Sequence, residues 1–427
     1  MFAAVVGMLA AACSSDAGLA GTADAGVLDA AAADAPPPPP PPSEPGRHTV
    51  DIVETRRVVP SPGLPADLPA AGANNNLDVV RHADGRIYLA WRNAPDHFAS
   101  TSVVINVASS TDETSWQREA SFTQGTDLRE PRFLSWNGTL FLYVSLLGSA
   151  GLSFEPRGVA RAEKLTAGSA AAAAGTGFST LDDLGWPPYI VWRTRIELGR
   201  PYMLRYLGGA NLYAFEGQPL TVELLTSSDG RAWSPAAPGQ PVIWTGGGSE
   251  ADFAQTADGT LYGIIRNEGG DDDGWGSKVC RASGTEVAPW ACHHDPRRFD
   301  SPLVFAHDGE VYLIARRNVT ADGNFDLGSS EPDRKTRVIG YHIDYLTKPK
   351  RCAIWRFVQG EDRVAFVTDL PSRGDTCYPG LIAGDSADTR IIYDYSSDID
   401  GPELTWNDGQ NGPTFIYRHV VRFTPRP

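Results

Sequence analysis

Carboxylates, arginines and tyrosines recur at the two ends of one repeated phrase, an arrangement suited to acid–base chemistry on a charged or polyhydroxylated ligand. The residues that open the phrase are Asp78, Glu130, Glu250 with Asp252, Asp300 and Asp375, and those that close it are Arg92, Arg266 with Glu268, Arg316 with Arg317, and Tyr395. Paired carboxylates can divide the roles of acid and base. Forked guanidinium donors match the geometry of a carboxylate. The alternative interpretation is that these ions pair with one another and hold the fold together.

The phrase itself predicts the elements that position these side chains. It consists of an apolar run, a turn containing Gly and a second apolar run, as in LDVVRHADGRIYLAWRN from Leu77 and EADFAQTADGTLYGIIRNE from Glu250. Asp-Gly or Asn-Gly between apolar runs is the strongest short signal for a β-hairpin. Such hairpins, spaced tens of residues apart, predict an all-β fold, a β-propeller. In a propeller the first strand of each blade starts at the face to which the second returns, so both sets of side chains should meet on one rim of the central funnel.

Six blades are predicted from this phrase and its spacing. They cover residues 74–124, 127–181, 186–245, 246–295, 297–371 and 373–423, and the third of them lacks the hairpin phrase. The strand-like segment HTVDIVETRRVV from His48 should supply the outer strand of blade 6, because closing the ring in this way removes a free sheet edge. The alanine-rich segment 168–177 is predicted to be an exposed loop, since it has no amphipathic pattern.

The start of the chain predicts export. Residues 2–12 form a short apolar run before Cys13, which is too short to span a bilayer as a helix. Residues 9–13, Leu-Ala-Ala-Ala-Cys, resemble a bacterial lipobox, which implies a signal peptide over 1–13, lipidation of Cys13 and anchoring at the outer membrane or cell surface. An ordinary secretory signal is the alternative. Residues 14–47, rich in Ala, Asp and Pro, are predicted to be a disordered tether, and residues 48–427 to be the propeller domain.

Charge and cysteine content narrow the class of partner and the compartment. The net charge of −15 argues against a nucleic-acid partner, because phosphate binding needs a basic surface. Apart from Cys13, the four cysteines are an even number, as expected in an oxidising compartment. We expect the pairs Cys280–Cys292 and Cys352–Cys377, while two other pairings and a zinc site at Cys292-His293-His294 are alternatives. Adjacent ligands rarely reach one ion, so no metal or cofactor is predicted. We expect a monomer.

A second repeat has the pattern Ser-x-Asp-x-x-x-Trp. It occurs at Ser110–Trp116 and at Ser227–Trp233. This pattern resembles the Asp box of sialidases and related propellers. The resemblance implies that Asp112 and Asp229 bind turn amides, that the two tryptophans pack between neighbouring blades, and that both turns lie on the face opposite the active site.

The predicted propeller as a whole resembles the sialidase superfamily. Ser249-Glu250-Ala251-Asp252, followed by Arg266-Asn267, is similar to the family segment that carries the catalytic Glu and one arginine of the carboxylate-binding triad. Cys377-Tyr378 is similar to the segment with the nucleophilic Tyr. The resemblance implies that Tyr378 attacks, that Glu250 takes its proton and that Arg266 binds a sialic-acid carboxylate. It also makes Asp96 a candidate acid/base. The chain departs from the family at Asn76-Leu77-Asp78, which stands in place of the first arginine motif.

Blade 1 suggests another class of enzyme. Asn74-Asn75-Asn76 and Asp96-His97 look like the polar strand ends of propeller polysaccharide lyases. In such a lyase His97 or Tyr378 would remove the proton alpha to a uronate carboxylate, while Arg92 would neutralise that carboxylate. The leading hypothesis is a glycoside hydrolase acting on an oligo- or polysaccharide, the second is a lyase, and the third is a propeller that only binds a glycan.

Overall fold

Six antiparallel sheets surround a central axis in the computed structural model, so the predicted six-bladed β-propeller is confirmed. The structure describes residues 37–44, 46–151, 153–166, 177–213, 215–282 and 287–427. The expected signal peptide, the tether as far as residue 36 and nearly all of the alanine-rich segment 168–177 lie outside these residues. Innermost strands contact one another around the axis from blade 1 through blade 5, and that of blade 6 contacts that of blade 1.

The first three blades follow one another along the chain, each with its innermost strand first. Blade 1 contains β2 (Ala73–Arg81), β3 (Ile87–Ala94), β4 (Val104–Ser110) and β5 (Gln117–Phe122). Blade 2 contains β6 (Asp127–Trp136), β7 (Thr139–Leu147), β8 (Pro156–Glu163) and β9 (Asp182–Asp183). Blade 3 contains β10 (Ile190–Glu197), β11 (Arg200–Leu207), β12 (Leu220–Thr226), β13 (Ser234–Pro235) and β14 (Val242–Gly246).

The last three blades complete the ring. Blade 4 contains β15 (Ala251–Gln255), β16 (Leu261–Asp271), β17 (Gly274–Ala282) and β18 (Ala291–Asp295). Blade 5 contains β19 (Asp300–His307), β20 (Glu310–Asn318), β21 (Lys350–Phe357) and β22 (Val364–Asp369). Blade 6 contains β23 (Gly380–Ala383), β24 (Thr389–Ser396), β25 (Phe415–Pro425) and, as its outer strand, β1 (His48–Val59).

Ring closure by β1 is confirmed. The strand pairs with β25 in antiparallel register, from His48 opposite Pro425 to Val59 opposite Ile416. The chain just before β1 lies against blade 5, where the Glu44 amide donates to the Phe366 carbonyl at 3.1 Å and the Glu44 carboxylate pairs with Arg363 at 2.7 Å. The end of the predicted tether is therefore docked on the propeller.

Turn residues explain why the inner hairpins form. In blades 2 and 5 the two central residues of the turn have positive φ, as at Asn137-Gly138 and Asp308-Gly309. Blade 3 makes the same turn with Leu198 (φ 46°) and Gly199 (φ 74°). Leucine rarely adopts this conformation, so Leu-Gly is not a sequence signal for a hairpin turn. For this reason the hairpin could not be recognised in blade 3, although the bounds of the blade were predicted correctly.

An insertion between β20 and β21 carries the one long helix among the described residues, α1 (Arg334–Leu346). Asp333 caps it by accepting from the Thr336 amide at 2.7 Å. Its buried face carries Val338, Tyr341 and Tyr345. These side chains pack with Phe215, Trp275, Phe325 and Trp406 into an aromatic cluster beside the funnel. A short helix, α2 (Trp406–Gln410), contributes Trp406.

Two disulfides, Cys280–Cys292 and Cys352–Cys377, are formed as expected. The first joins neighbouring strands of blade 4, and the second ties blade 5 to the segment before β23. Disulfides of this kind are typical of proteins from oxidising compartments. Among the described residues, no helix is long and apolar enough to cross a membrane.

Candidate active site

A cavity of about 190 Å³ lies at one end of the funnel. It is lined by the starts of innermost strands and the ends of second strands, as the strand polarity predicts. The side chains that the sequence placed on this rim and that the structure brings to the cavity are Glu130, Glu250, Arg266, Arg316, Tyr378, Tyr395 and His97. Phe98, Phe154, Tyr213, Phe215 and Trp406 add an aromatic wall.

A bulge turns side chains into this cavity. The pairing of β2, β6 and β19 with their neighbours slips by a residue near the start of each strand. At the slip, Asn76, Glu130 and Ser301 have φ values of 43°, 54° and 53°. Bulges re-aim side chains and are frequent near functional sites. Left-handed backbone at a non-glycine residue costs of order 1 kcal/mol or more, so the surrounding blades must impose it.

Tyr378 and Glu130 form a hydrogen-bonded pair across the funnel. The Tyr378 hydroxyl donates to Oε2 of Glu130, and the Asn76 side-chain amide donates to Oε1 at 3.1 Å. Burial raises the pKa of Glu130, although the charges of Arg132 and Arg129 oppose this. The resemblance to sialidases had implied that Glu250, not Glu130, is the partner that takes the proton of Tyr378. The partner differs because the ring brings blade 2, not blade 4, to face the Tyr378 hydroxyl.

Glu250 lies in the same cavity with different partners. Its carboxylate binds Arg266 and accepts from the Ser301 amide at 2.6 Å. Burial raises the pKa of Glu250 to about 7, against the opposing charge of Arg266. The cavity therefore contains two buried carboxyl groups with raised pKa values, of which Glu130 accepts a hydrogen bond from a tyrosine hydroxyl and Glu250 does not.

Asp300 forms ion pairs with two arginines that line the cavity. Its carboxylate contacts Arg266 at 2.9 Å and Arg316 at 3.2 Å, and it accepts from the Tyr345 hydroxyl of α1 at 2.8 Å. Arg298 also pairs with the Asp300 carboxylate, at 2.6 Å. Burial by itself would raise the pKa of Asp300, but these three arginines hold it well below its usual range. Asp300 supports the cavity without lining it.

His97 and Asp375 form a second pair at the rim. His97 Nδ1 lies 2.7 Å from Oδ2 of Asp375. The other carboxylate oxygen accepts from the Tyr395 hydroxyl at 2.9 Å and from the Trp406 indole at 3.2 Å. Burial lowers the pKa of His97 despite the nearby Asp375 charge, so the imidazole is neutral at neutral pH. Its Nδ1–H can then donate to Asp375, which leaves Nε2 as an acceptor.

Besides Asp300 and Asp375, which support cavity residues from outside the lining, four more residues predicted to be catalytic or substrate-binding do not line the cavity. Arg92 is fully buried and binds Asp127 at 3.0 Å, while Asp96 accepts from the Phe98 amide at 2.8 Å within its own turn. Arg317 binds Asp369 at 2.5 Å. Asp252 points to the other end of the channel and binds Arg195 at 2.8 Å beside a second cavity of about 350 Å³. For Arg92, Asp252 and Arg317, the interpretation that the ions pair with one another describes their contacts.

Several cavity residues had no role in the sequence prediction. Arg129 binds Asp127 at 2.5 Å and the His97 carbonyl at 2.7 Å, and so holds the His97 loop. Phe154 and Tyr213 meet edge-to-face at 5.9 Å on the rim. They lie in loops with no motif, and only their aromatic character could have suggested them. Trp406 of α2 also lines the cavity.

The two Ser-x-Asp-x-x-x-Trp turns lie on the opposite face. Asp112 Oδ1 accepts from the Thr114 and Ser115 amides at 2.8 Å, and Asp229 makes the equivalent bonds to Arg231 and Ala232. Trp116 of blade 1 packs edge-to-face on Tyr393 of blade 6, and Trp233 of blade 3 on Tyr143 of blade 2. These contacts are the ones that the resemblance to an Asp box implies.

No protein-family model matches the sequence, and no curated protein matches it. The structure is similar to that of a Dyadobacter fermentans protein of unknown function, with 14% identity and a TM-score of 0.56 over 88% of this chain and 99% of that chain. It is also similar to Trypanosoma rangeli sialidase, with 12% identity and a TM-score of 0.53 over 83% of this chain and 55% of the sialidase. The chain thus spans about half the length of that enzyme. At these identities the likeness establishes a shared, sialidase-like propeller fold.

Proposed function

We propose that the protein is a glycoside hydrolase that cleaves a neutral, polyhydroxylated saccharide. The observation that carries the proposal is the Tyr378 hydroxyl bound to the Glu130 carboxylate, in one cavity with Glu250. A tyrosine becomes a nucleophile when an adjacent base can take its proton. A carboxyl group with a pKa of about 7 can donate a proton near neutral pH.

The reaction proceeds in two displacements. The Tyr378 oxygen attacks the anomeric carbon while its proton passes to Glu130, and the bond to the leaving oxygen breaks as that oxygen takes a proton from Glu250. Water then attacks the anomeric carbon of the tyrosyl-sugar intermediate and gives its proton to Glu250. The released Tyr378 oxygen recovers its proton from Glu130. The sum is hydrolysis of one glycosidic bond, with retention at the anomeric carbon.

The pairing of the arginines supports a neutral sugar rather than a sialic acid. All three nitrogens of Arg266 already face carboxylates, those of Glu250, Glu268 and Asp300. Arg316 binds Asp300 and the carbonyls of Thr376 and Cys377. A substrate carboxylate would have to compete with these buried partners, whereas sugar hydroxyls can hydrogen-bond to the remaining donor and acceptor positions and pack on the aromatic wall.

The test is a panel of neutral and sialic-acid aryl glycosides together with neutral polysaccharides. Release of the aryl alcohol from a neutral glycoside, lost by several orders of magnitude in Tyr378→Phe and in Glu130→Gln, is the expected result. Tyr393→Phe is the matched control. Tyr393 belongs to blade 6, as Tyr378 does, and its hydroxyl also donates to a glutamate, Glu113, at 2.6 Å, but outside the cavity. Normal turnover in Tyr378→Phe would refute the mechanism, and cleavage of sialosides alone would refute the substrate class.

A second candidate is a polysaccharide lyase, and the neutral His97 held by Asp375 is the observation that favours it. A neutral imidazole can accept a proton alpha to a uronate carboxylate. The readout is the ultraviolet absorbance of an unsaturated uronate, measured with uronate polysaccharides. If that absorbance develops and depends on His97 rather than on Glu250, the lyase replaces the hydrolase.

We also propose that the protein is exported, lipid-anchored at Cys13 and monomeric. The support is the sequence of residues 9–13 and the two disulfides. Metabolic labelling with a fatty-acid probe, compared between the natural chain and Cys13→Ser, tests the anchor, and light scattering of the released protein tests the monomer. Equal labelling of both forms would refute the anchor.

A further inference from the structure

A buried arginine lies beneath the cavity and takes no part in the mechanism above. Arg132 of β6 is fully buried, and none of its three guanidinium nitrogens has a hydrogen-bond partner among the described residues. A buried charge without hydrogen bonds is costly, so a structure that keeps one must compensate it in another way. Burial lowers the pKa of Arg132, but a guanidinium is not deprotonated at any pH at which the protein stays folded, so Arg132 keeps its charge.

The guanidinium lies against two aromatic rings, while the carboxyl groups of Asp78 and Glu130 act on it as opposite charges. Its central carbon lies 4.3 Å from the centre of the Tyr378 ring and 5.0 Å from that of Trp192. These two rings meet edge-to-face at 5.2 Å, so the guanidinium occupies the corner between them. Cations at this distance from an aromatic face are attracted by the ring, and more strongly when desolvated.

We propose that Arg132 is a positioning residue for Tyr378, which it holds in place by the ring contact and whose phenolate it stabilises when the proton leaves. The proposal rests on the function of Tyr378 as the nucleophile. Negative charge that forms on the phenolate spreads into the ring, and the guanidinium lies on the face of that ring. Its attraction is therefore stronger for the phenolate than for the neutral phenol, which is the condition for lowering a barrier rather than merely binding.

The other charges around Tyr378 do not supply this stabilisation. Glu130 accepts the hydroxyl, and its negative charge opposes phenolate formation until it takes the proton. Asp394 accepts the Tyr378 amide at 2.7 Å, and burial raises its pKa to about 8, so it is neutral at pH 7. Arg193 of β10 is directed to the carbonyls of Pro302 and Pro379.

Of the other charged groups in the cavity, Glu250 and Arg266 pair with one another within blade 4, and Arg316 binds Asp300 and the carbonyls of Thr376 and Cys377. Arg132 is thus the cation placed on the face of the Tyr378 ring, while Asn76 from β2 supplies a neutral amide to Glu130.

The test is a pH titration of Tyr378, monitored by carbon NMR of the full chain labelled at the tyrosine Cζ. The Tyr378 signal is assigned by its absence from Tyr378→Phe. In Arg132→Met and Arg132→Gln we expect the phenolate to form at a pH higher by about one unit or more, since one pH unit corresponds to a tenfold change in the ionisation equilibrium. We also expect kcat to fall by tenfold or more on the substrate identified above, with KM changing less.

Trp192→Leu is the control, because it removes the other ring that packs against both Arg132 and Tyr378 and leaves the charge of Arg132 in place. In Trp192→Leu the Tyr378 phenolate should form at the same pH as in the natural chain. An unchanged midpoint in both neutral variants overturns the proposal, and so does an equal shift in Trp192→Leu. Failure of both neutral variants to fold would assign Arg132 to stability alone and overturn it as well. A shifted midpoint in a protein that hydrolyses no saccharide would leave the inferred effect on Tyr378 intact and refute the proposed function.

Discussion

Replacing Asp300 by Asn tests the charge network behind the cavity. The substitution keeps the size of the side chain but removes the charge that faces Arg266, Arg298 and Arg316. Breaking a buried ion pair by neutralising one partner costs about 3–5 kcal/mol, because uncompensated charge stays buried. For a domain of roughly 380 residues the unfolding entropy is about 0.8 kcal/mol/K, which converts this loss to a fall in Tm of about 4–6 °C.

The sign of the pH dependence gives a second check. The pKa of Asp300 is held well below its unfolded value, so its stabilisation is present above the unfolded pKa and is lost as the pH falls through the folded one. The difference in Tm between the natural chain and Asp300→Asn should therefore shrink below about pH 4.

Thermal unfolding by circular dichroism measures both effects, with Asp369→Asn as the matched control. Asp369 also pairs with one arginine of blade 5, Arg317, at 2.5 Å, but its side chain is 23% exposed. A partly exposed pair contributes about 1 kcal/mol or less, so this control should lower Tm by little more than 1 °C. If the two substitutions destabilise equally, the three-arginine network around Asp300 is not coupled as its geometry indicates.

Trp116→Ala should cost about 3–5 kcal/mol of unfolding free energy, because Trp116 is 5% exposed between two blades, and half-buried Trp233 should cost less. Denaturant titration measures this, and lost activity without lost stability would contradict the placement of these turns on the far face. Because the pKa of Glu250 is about 7, kcat/KM should fall above about pH 7 as the acid form is lost. Glu250→Gln should abolish this fall in kcat/KM above about pH 7. It should also slow the cleavage of aryl glycosides with acidic leaving groups less than that of natural saccharides. If the fall persists in Glu250→Gln, it reports the ionisation of another group. Deleting residues 48–59 should leave blade 6 without its outer strand and lower Tm, and an unchanged Tm would contradict ring closure by β1.

The fold could be predicted because its signals are local. Each inner hairpin is determined by a two-residue turn and by apolar runs on either side, and both can be recognised without knowing the rest of the chain. Helix α1 was missed because it is inserted within blade 5, where the repeated phrase set the expectation of strands. Its signals were present all the same, in the Asp333 cap and in the spacing of Val338, Tyr341 and Tyr345.

The site could be predicted only in part because its pairings cross the funnel. The position of a residue at a strand end is local, which explains why Glu130, Glu250 and Tyr378 reach one cavity. Which carboxylate faces Tyr378 depends on the curvature of the whole ring, and 248 residues separate it from Glu130. Asp252 shows a second reason. It shares a strand side with Glu250 but lies about 6.6 Å further along the axis, since a strand advances about 3.3 Å per residue, and so it faces the other cavity.

Strand β1 begins at the end of the ring opposite the cavity. His48 lies 3.1 Å from Glu310, beside the turn at Asp308-Gly309 on the far face of the ring. Glu44 and Arg47 contact the same blade, so the described chain reaches β1 from the side opposite the cavity. The segment that joins the propeller to the start of the chain therefore leaves the cavity rim free, and a long polymer could lie across that rim without meeting it.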